Sequence, residues 1–188
     1  MQNNIKPLVT VIVPAYNHQD FIEQTIESIV NQTYGYANIE LIVIDDCSKD
    51  NTGNILRELS KKYEFVFLKN EVNLGVVKNM NSLLKISKGK YISFCASDDY
   101  YDINKIEEQV RILESLSDEF AICHADAFII DTNNKFLFFQ NNGNDFKGNI
   151  MPKILIHNAI VAPSVLIRKK TFSDVGYFDE NISFEDRE

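Results

Sequence analysis

Four short runs of apolar, mostly β-branched residues alternate with amphipathic segments over the first 120 residues, and that alternation leaves few architectures open. "LVTVIVP" (8–14), "IELIVID" (39–45), "FVFLK" (65–69) and "KYISFC" (90–95) read as strands. The first two are apolar almost throughout, as strands covered on both faces are. Between and after them lie "DFIEQTIESIVNQ" (20–32), "TGNILRELSKKY" (52–63), "VVKNMNSLLKIS" (76–87) and "INKIEEQVRILESL" (103–116). In the first of these, Phe21, Ile22, Thr25, Ile26, Ile29 and Val30 recur at helical spacing. In the last, Ile103, Ile106, Val110 and Leu113 share one face. Asp20 followed by Glu23 predicts the first helix start, and Gly89 a stop after the third helix. Strand and helix in this alternation predict βαβ units, and so a mostly parallel α/β sheet between helical layers.

After residue 120 the pattern loosens. "FAICHADAFIID" (120–131) and "KFLFF" (135–139) predict strands that pair as a hairpin or meander. "NNGNDFKGN" (141–149) reads as a polar loop, "IVAPSVLIRK" (160–169) as a further strand, and "RKK" (168–170) as a solvated turn. The 188 residues, 45% of them apolar and without internal repeat or long linker, suffice for one domain. Its expected halves are residues 1–120, of nucleotide-binding type, and a mixed extension over 121–188. A formal charge of −8 argues against electrostatic binding to nucleic acid or anionic lipid. No apolar run approaches the roughly 20 residues that span a bilayer. Three cysteines without a C-x-x-C pair indicate reduced thiols and a cytoplasmic setting, with Cys95 and Cys123 expected in the core. His18, His124 and His157 lack zinc-ligand spacing.

In open parallel sheets, ligands sit beyond the carboxyl ends of the strands. Here those ends carry Pro14-Ala15-Tyr16-Asn17, Asp45-Asp46-Cys47-Ser48 and Ser97-Asp98-Asp99. If the sheet brings them together, one rim holds four carboxylates and an aromatic ring. Carboxylates suit Mg²⁺ or Mn²⁺, which would in turn neutralise a diphosphate that the acids alone repel. Tyr16 could stack on a base, and an aspartate can accept the N3–H of uracil or thymine. The chain has no G-x-x-x-x-G-K-[ST], no G-x-G-x-x-G after the first strand and no G-x-S-x-G, which removes P-loop, dinucleotide-binding and α/β-hydrolase readings.

Four segments, "VTVIVPAYNHQDFIEQTIESIVNQTY", "ELIVIDDCSKDNT", "NLGVVKNMNSLLKISKGKYISFCASDD" and "VGYFDENISFED", follow one another in an order and spacing that resembles the family 2 glycosyltransferases of the GT-A fold. The resemblance implies a GT-A, Rossmann-like central sheet flanked by helices, with a small mixed or antiparallel extension. It also implies an inverting transfer of a sugar from a nucleotide-diphosphate sugar, a UDP-sugar above others, to an acceptor hydroxyl in polysaccharide or glycoconjugate synthesis. By position, Pro14, Ala15, Tyr16 and Asn17 line the base pocket; Asp46, with Asp45 beside it, holds the pyrimidine edge. Asp98 contacts the ribose, Asp99 binds the divalent metal (Mn²⁺ or Mg²⁺) with Asp98 beside it, and Lys78 is a weaker contact to the nucleotide. Glu185-Asp186 matches the family's late acidic motif, with Asp186 as catalytic base. Implied partners are the donor and a sugar or lipid-linked sugar acceptor, and the implied location is the cytoplasm or the inner face of the membrane. Three departures stand out. Ala96 occupies a position where many members carry a further Asp, Lys78 stands near a common Arg, and the chain stops two residues after Asp186 where members continue. A truncated acceptor half is therefore expected. The competing readings are a nucleotide-sugar-binding module without turnover, a sugar nucleotidyltransferase, which would carry a Gly-rich basic loop after the first strand, and a phosphoacceptor domain, which would carry a lone Asp after the third.

Overall fold

The computed structural model describes residues 6–140, 147–150 and 160–181. Its main sheet has six strands in the order β3-β2-β1-β4-β8-β5: Val66–Lys69, Ile39–Asp45, Val9–Ala15, Tyr91–Phe94, Leu166–Arg168 and Ile122–Cys123. The first four run parallel, while β8 runs antiparallel to both β4 and β5. A separate ribbon pairs β6 (Ala127–Ile130) with β7 (Phe136–Gln140) in antiparallel fashion. The helices are α1 (Ile22–Val30), α2 (Thr52–Tyr63), α3 (Val76–Ile86), α4 (Lys105–Ser115) and α5 (Lys170–Val175). This is the mainly parallel α/β sheet with a small antiparallel addition that the sequence predicts.

The two-residue period of a strand sorts the apolar runs onto opposite faces. Val9, Val11 and Val13 of β1 join Ile22, Ile26 and Ile29 of α1, Leu56 and Leu59 of α2, and Ile106, Val110 and Leu113 of α4 in one buried cluster. Ile12, between them, joins Ile42, Ile44 and Ile92 under Met80, Leu83 and Leu84 of α3 in the other. Each such fully buried side chain contributes roughly 1.5–3 kcal/mol, so β1 and β2, enclosed from both sides, form the rigid centre on which the strand ends are mounted.

Five local expectations are corrected. Helix α1 starts at Ile22 without a side-chain cap; the His18 carbonyl instead accepts the Phe21 and Ile22 amides at 3.1 and 3.0 Å, so Asp20 and Glu23 form no capping box. Helix α3 ends at Ile86 with Ser87 after it. Gly89 serves a close approach instead, because a Cβ there would stand 2.5 Å from the Thr10 amide nitrogen. The run 120–131 splits: β6 pairs with β7 as the expected hairpin, but β5 joins the main sheet; within 160–169 only Leu166–Arg168 is strand. Finally, Arg168 is buried rather than a solvated turn. Its guanidinium donates to the carbonyls of Phe120 (2.9 Å), Leu113 (2.6 Å) and Leu116 (3.2 Å) and to the Tyr91 hydroxyl (3.1 Å).

Candidate functional site

Because β2, β1 and β4 are parallel neighbours, their carboxyl ends emerge side by side at one edge of the sheet. Ladder-like bonds continue past the strands: the Asp46 amide donates to the Ala15 carbonyl at 2.8 Å and the Cys95 amide to that of Ile12 at 3.0 Å. Asn17 then turns the chain in the left-handed region (φ 54°), which asparagine tolerates better than most side chains. Its amide donates to Ser48 Oγ (3.0 Å) and its Oδ1 accepts from the Lys49 amide (2.8 Å). His18 extends the stitching to β4, with its amide on Thr52 Oγ1 (2.9 Å), its Nδ1 2.6 Å from Ser97 Oγ and 3.7 Å from Asp98 Oδ1. Pro14 is half-buried, Ala15 is buried, and the Tyr16 ring lies 42% exposed at the lip.

The loop after β4 is held from α1. The Asp99 amide closes a turn onto the Ala96 carbonyl (3.1 Å), and the buried Thr25 hydroxyl is shared between the carbonyls of Asp99 (2.7 Å) and Ser97 (3.0 Å). Ser28 Oγ accepts the Tyr101 amide at 3.0 Å, while Gln32 donates to the Asp102 carbonyl (2.7 Å) and accepts from the Ile106 amide (3.0 Å). Asp98 is thereby exposed and Asp99 half-buried on a loop whose backbone is fixed. Beneath them Lys105 Nζ bonds Ser93 Oγ (3.0 Å) and lies 4.1 Å from the centre of the Tyr101 ring; burial pulls its pKa down to about 7.

The two acids after β2 part company. Asp45 is fully buried: Oδ1 accepts the Ser48 amide at 3.0 Å, and Oδ2 sits 3.1 Å from Lys69 Nζ in an ion pair without hydrogen-bond alignment. A Cβ on Gly53 would approach that Oδ2 to 2.4 Å, so glycine opens α2 to the carboxylate. Asp45 therefore braces β2 against α2 and β3. Asp46, 4% exposed, turns toward the segment before α3. Its Oδ1 accepts from Asn70 Nδ2 and the Leu74 amide, both at 2.8 Å, and its Oδ2 from the Gly75 amide at 2.9 Å. Burial alone would raise its pKa, but these donors and the nearby Asn79 amide group outweigh burial and hold it below the ordinary aspartate value.

The architecture finds its counterpart in known proteins. The model of the family described as Glycosyl transferase family 2 matches residues 10–175. The chain belongs to glycosyl transferase family 2. An uncharacterized glycosyltransferase of Rickettsia typhi is 33% identical over 186 residues, covering 97% of this chain and 57% of that protein. The Escherichia coli UDP-Glc:α-D-GlcNAc-diphosphoundecaprenol β-1,3-glucosyltransferase WfaP is 42% identical over 108 residues, 57% of this chain and 42% of its own length. Among solved structures, Staphylococcus aureus TarS 1–349 in complex with UDP superposes with a TM-score of 0.71 at 22% identity, covering 94% of this chain and 51% of that one. A Pyrobaculum calidifontis mannosyltransferase in complex with GDP-Man and Mn²⁺ gives 0.70 at 16% identity, covering 95% and 49%. These last two show a shared GT-A fold. The chain spans about half the length of the relatives it matches.

The set of metal-ligating side chains at the rim is small. Among the described residues no three His, Cys, Asp or Glu side chains form a metal-ligating group. The exposed Asp98 and half-buried Asp99 still fit a hard cation of the Mg²⁺ or Mn²⁺ type, which takes one or two carboxylates and completes its shell with phosphate oxygens and water. Lys78 is exposed on the first turn of α3, three residues beyond the Gly75 amide that binds Asp46. Glu185 and Asp186 lie outside the described residues. The rim residues that sequence reading passed over are His18, Thr25, Asn70 and Asn79. Two of them left a trace, since Thr25 and Asn79 are polar groups set among apolar positions of amphipathic helices.

Proposed function

We propose that the chain carries the donor-binding part of an inverting glycosyltransferase that moves a sugar from a UDP-sugar to an acceptor hydroxyl in polysaccharide or glycoconjugate synthesis. The observation that carries this reading is the side-by-side placement of the β1, β2 and β4 ends, with Tyr16, Asp46 and the Asp98–Asp99 pair on loops bonded to one another. Membership of family 2, the UDP-Glc-dependent relative in E. coli and the UDP complex of TarS support the choice of donor. The name of the E. coli relative also supports a lipid-linked acceptor, and with it a station at the inner membrane face. No helix among the described residues is long and apolar enough to cross a membrane.

In this reading Pro14, Ala15, Tyr16 and Asn17 wall the base, and Asp46 accepts one N–H from it. Asp98 meets the ribose, and Lys78 adds positive charge near the nucleotide. Asp99, with Asp98, would hold a divalent ion, which when bound neutralises the departing diphosphate. Asp186 takes the proton of the acceptor hydroxyl as that oxygen attacks the anomeric carbon from the face opposite the nucleotide, so the configuration inverts; Glu185 stands beside it. The hydroxyl releases its proton only as the new bond forms.

Transfer from UDP-sugars tests this directly. Asp186→Asn in the full chain should cut transfer by about 10²-fold or more, the usual worth of a positioned base, while UDP affinity stays unchanged. Undiminished transfer in that variant would remove Asp186 from the base role, and absence of transfer from any UDP-sugar by the unmutated protein would leave a binding module.

A further inference from the structure

An ionised carboxylate offers about four lone-pair positions, two on each oxygen. In Asp46 both positions on Oδ1 are taken, by Asn70 Nδ2 and the Leu74 amide, and one on Oδ2 is taken by the Gly75 amide. By these contacts one acceptor position among the described residues stays open, on Oδ2, with the Asn79 amide group near the carboxylate. Asn70 is itself fixed from the other side, since the same Nδ2 lies 2.8 Å from Asn79 Oδ1, and Asn79 is buried in the first turn of α3. Nδ2 carries two protons, one for each acceptor, so Asn70 bridges a β2 carboxylate to a helix side chain. The carboxylate meanwhile sits at the amino end of α3, where backbone amides and the helix dipole favour its charge.

The number of free acceptors matters because bases differ in the number of donors on their pairing edge. Uracil presents one, N3–H, between two carbonyls. Guanine presents two adjacent donors, N1–H and N2–H₂, which match a carboxylate only if each oxygen has a position to spare. Solved neighbours of this fold include complexes with UDP and with GDP-Man, so the fold itself does not settle the base.

We propose that Asn70, held by Asn79, is a specificity-determining positioning residue: by occupying Asp46 Oδ1 it leaves a single acceptor, which suits the one-donor edge of uracil and refuses the two-donor edge of guanine. This rests on the reading that Asp46 meets the base. Asn70 acts only through Asp46, and the property it controls is the ratio of two affinities rather than either affinity alone.

Dissociation constants for UDP and GDP, measured by calorimetry, decide the matter. The unmutated chain is expected to favour UDP by about tenfold or more, the scale on which unmatched polar groups discriminate. Asn70→Ala frees a position on Oδ1 and should narrow that ratio by about fivefold or more, chiefly through tighter GDP binding. Asn70→Ser, which keeps the segment polar but is too short to bridge, should do the same if the alanine variant folds poorly. Asn81→Ala is the control. Asn81 is buried in the same helix but bonds the Phe178 backbone and Glu180, so its loss should lower stability and leave the ratio alone. A preference for UDP that survives Asn70→Ala and Asn70→Ser unchanged would overturn the role of Asn70 while leaving Asp46 as base reader. Equal binding of UDP and GDP by the unmutated chain would overturn the base contact at Asp46, and this inference with it. Parallel loss of both nucleotides in the Asn70 variants would reduce Asn70 to a structural support.

Discussion

The region before residue 116 and the region after residue 120 hold their shapes by different means. In the first, β1, β2, β4 and four helices enclose two apolar clusters, and the loops above them are tied by side chains such as Thr25, Gln32, Asn17 and Asp46 that satisfy backbone groups of neighbouring loops. In the second, only Ser164, Leu166 and Arg168 are buried among the described residues, and the β6–β7 ribbon exposes Phe128 (68%), Phe136, Leu137, Phe138 and Phe139. The contrast teaches that the proposed donor rim is preorganised by its own fold. The later region borrows its order from the earlier one, chiefly through β8.

Arg168 is the main point of borrowing, and its removal should have the largest effect. Arg168→Met removes a donor from three carbonyls and the Tyr91 hydroxyl; of the carbonyls, Leu113 keeps the Leu116 amide. Since buried acceptors without partners are costly, stability should fall by about 3 kcal/mol or more, with hydrogen exchange rising first over 120–140. A loss under about 1 kcal/mol in denaturant titration, well below the usual cost of such changes, would mean the later region stands by itself. Thr25→Val tests the other side of the comparison. It keeps the shape and removes the hydroxyl proton shared by Ser97 and Asp99, so we expect a cost of about 1–2 kcal/mol and a weaker effect of Mn²⁺ on UDP binding. Stability loss without any change in the Mn²⁺ effect would show that the loop keeps its form unaided.

Lys105 lies on the seam between the regions, bonded to Ser93 and 3.4 Å from the Val165 carbonyl, with Cys95 and Cys123 acting on its charge. Burial lowers its pKa from 10.5 to about 7. Between those values the unfolded chain binds the extra proton, so this residue makes stability rise as pH climbs from about 7 toward 10. Below about 7 both states are protonated and the penalty is complete. Lys105→Met should flatten that rise, and an unchanged slope of stability against pH would place the ammonium in water. The smallest effect belongs to the ribbon: Phe138→Ser, at an exposed position, should change stability by no more than about 0.5 kcal/mol. A larger loss would show that Phe138 is covered.

Legibility in the sequence followed the same division. Strands β1 and β2 and helices α2 and α3 fall where continuous apolar runs and helical periodicity place them, because two-sided burial leaves a strong pattern. The roles of Arg168 and Gly89 were hidden. A buried arginine reads as surface from composition, and a close approach to Thr10 depends on a strand 79 residues away. At the rim, Asp45-Asp46 looked like one acidic pair, yet one carboxylate braces α2 and the other holds the segment before α3. Adjacent strand residues point to opposite faces, and only the packing of each face shows which partners are waiting.

The central claim is that the β1–β2–β4 rim binds a uridine diphosphate through Asp46 and a divalent ion through Asp99. Thermal stabilisation by UDP, ADP and GDP, each with and without Mn²⁺, on the unmutated chain and on Asp99→Asn, tests it in one panel. At a tenfold excess over Kd, UDP should stabilise by about 1.4 kcal/mol and exceed ADP and GDP. Mn²⁺ should strengthen that effect in the unmutated chain and do nothing in Asp99→Asn, whose unliganded melting should match the parent. Equal shifts from all three diphosphates, or an Mn²⁺ enhancement that survives Asp99→Asn, would contradict the account.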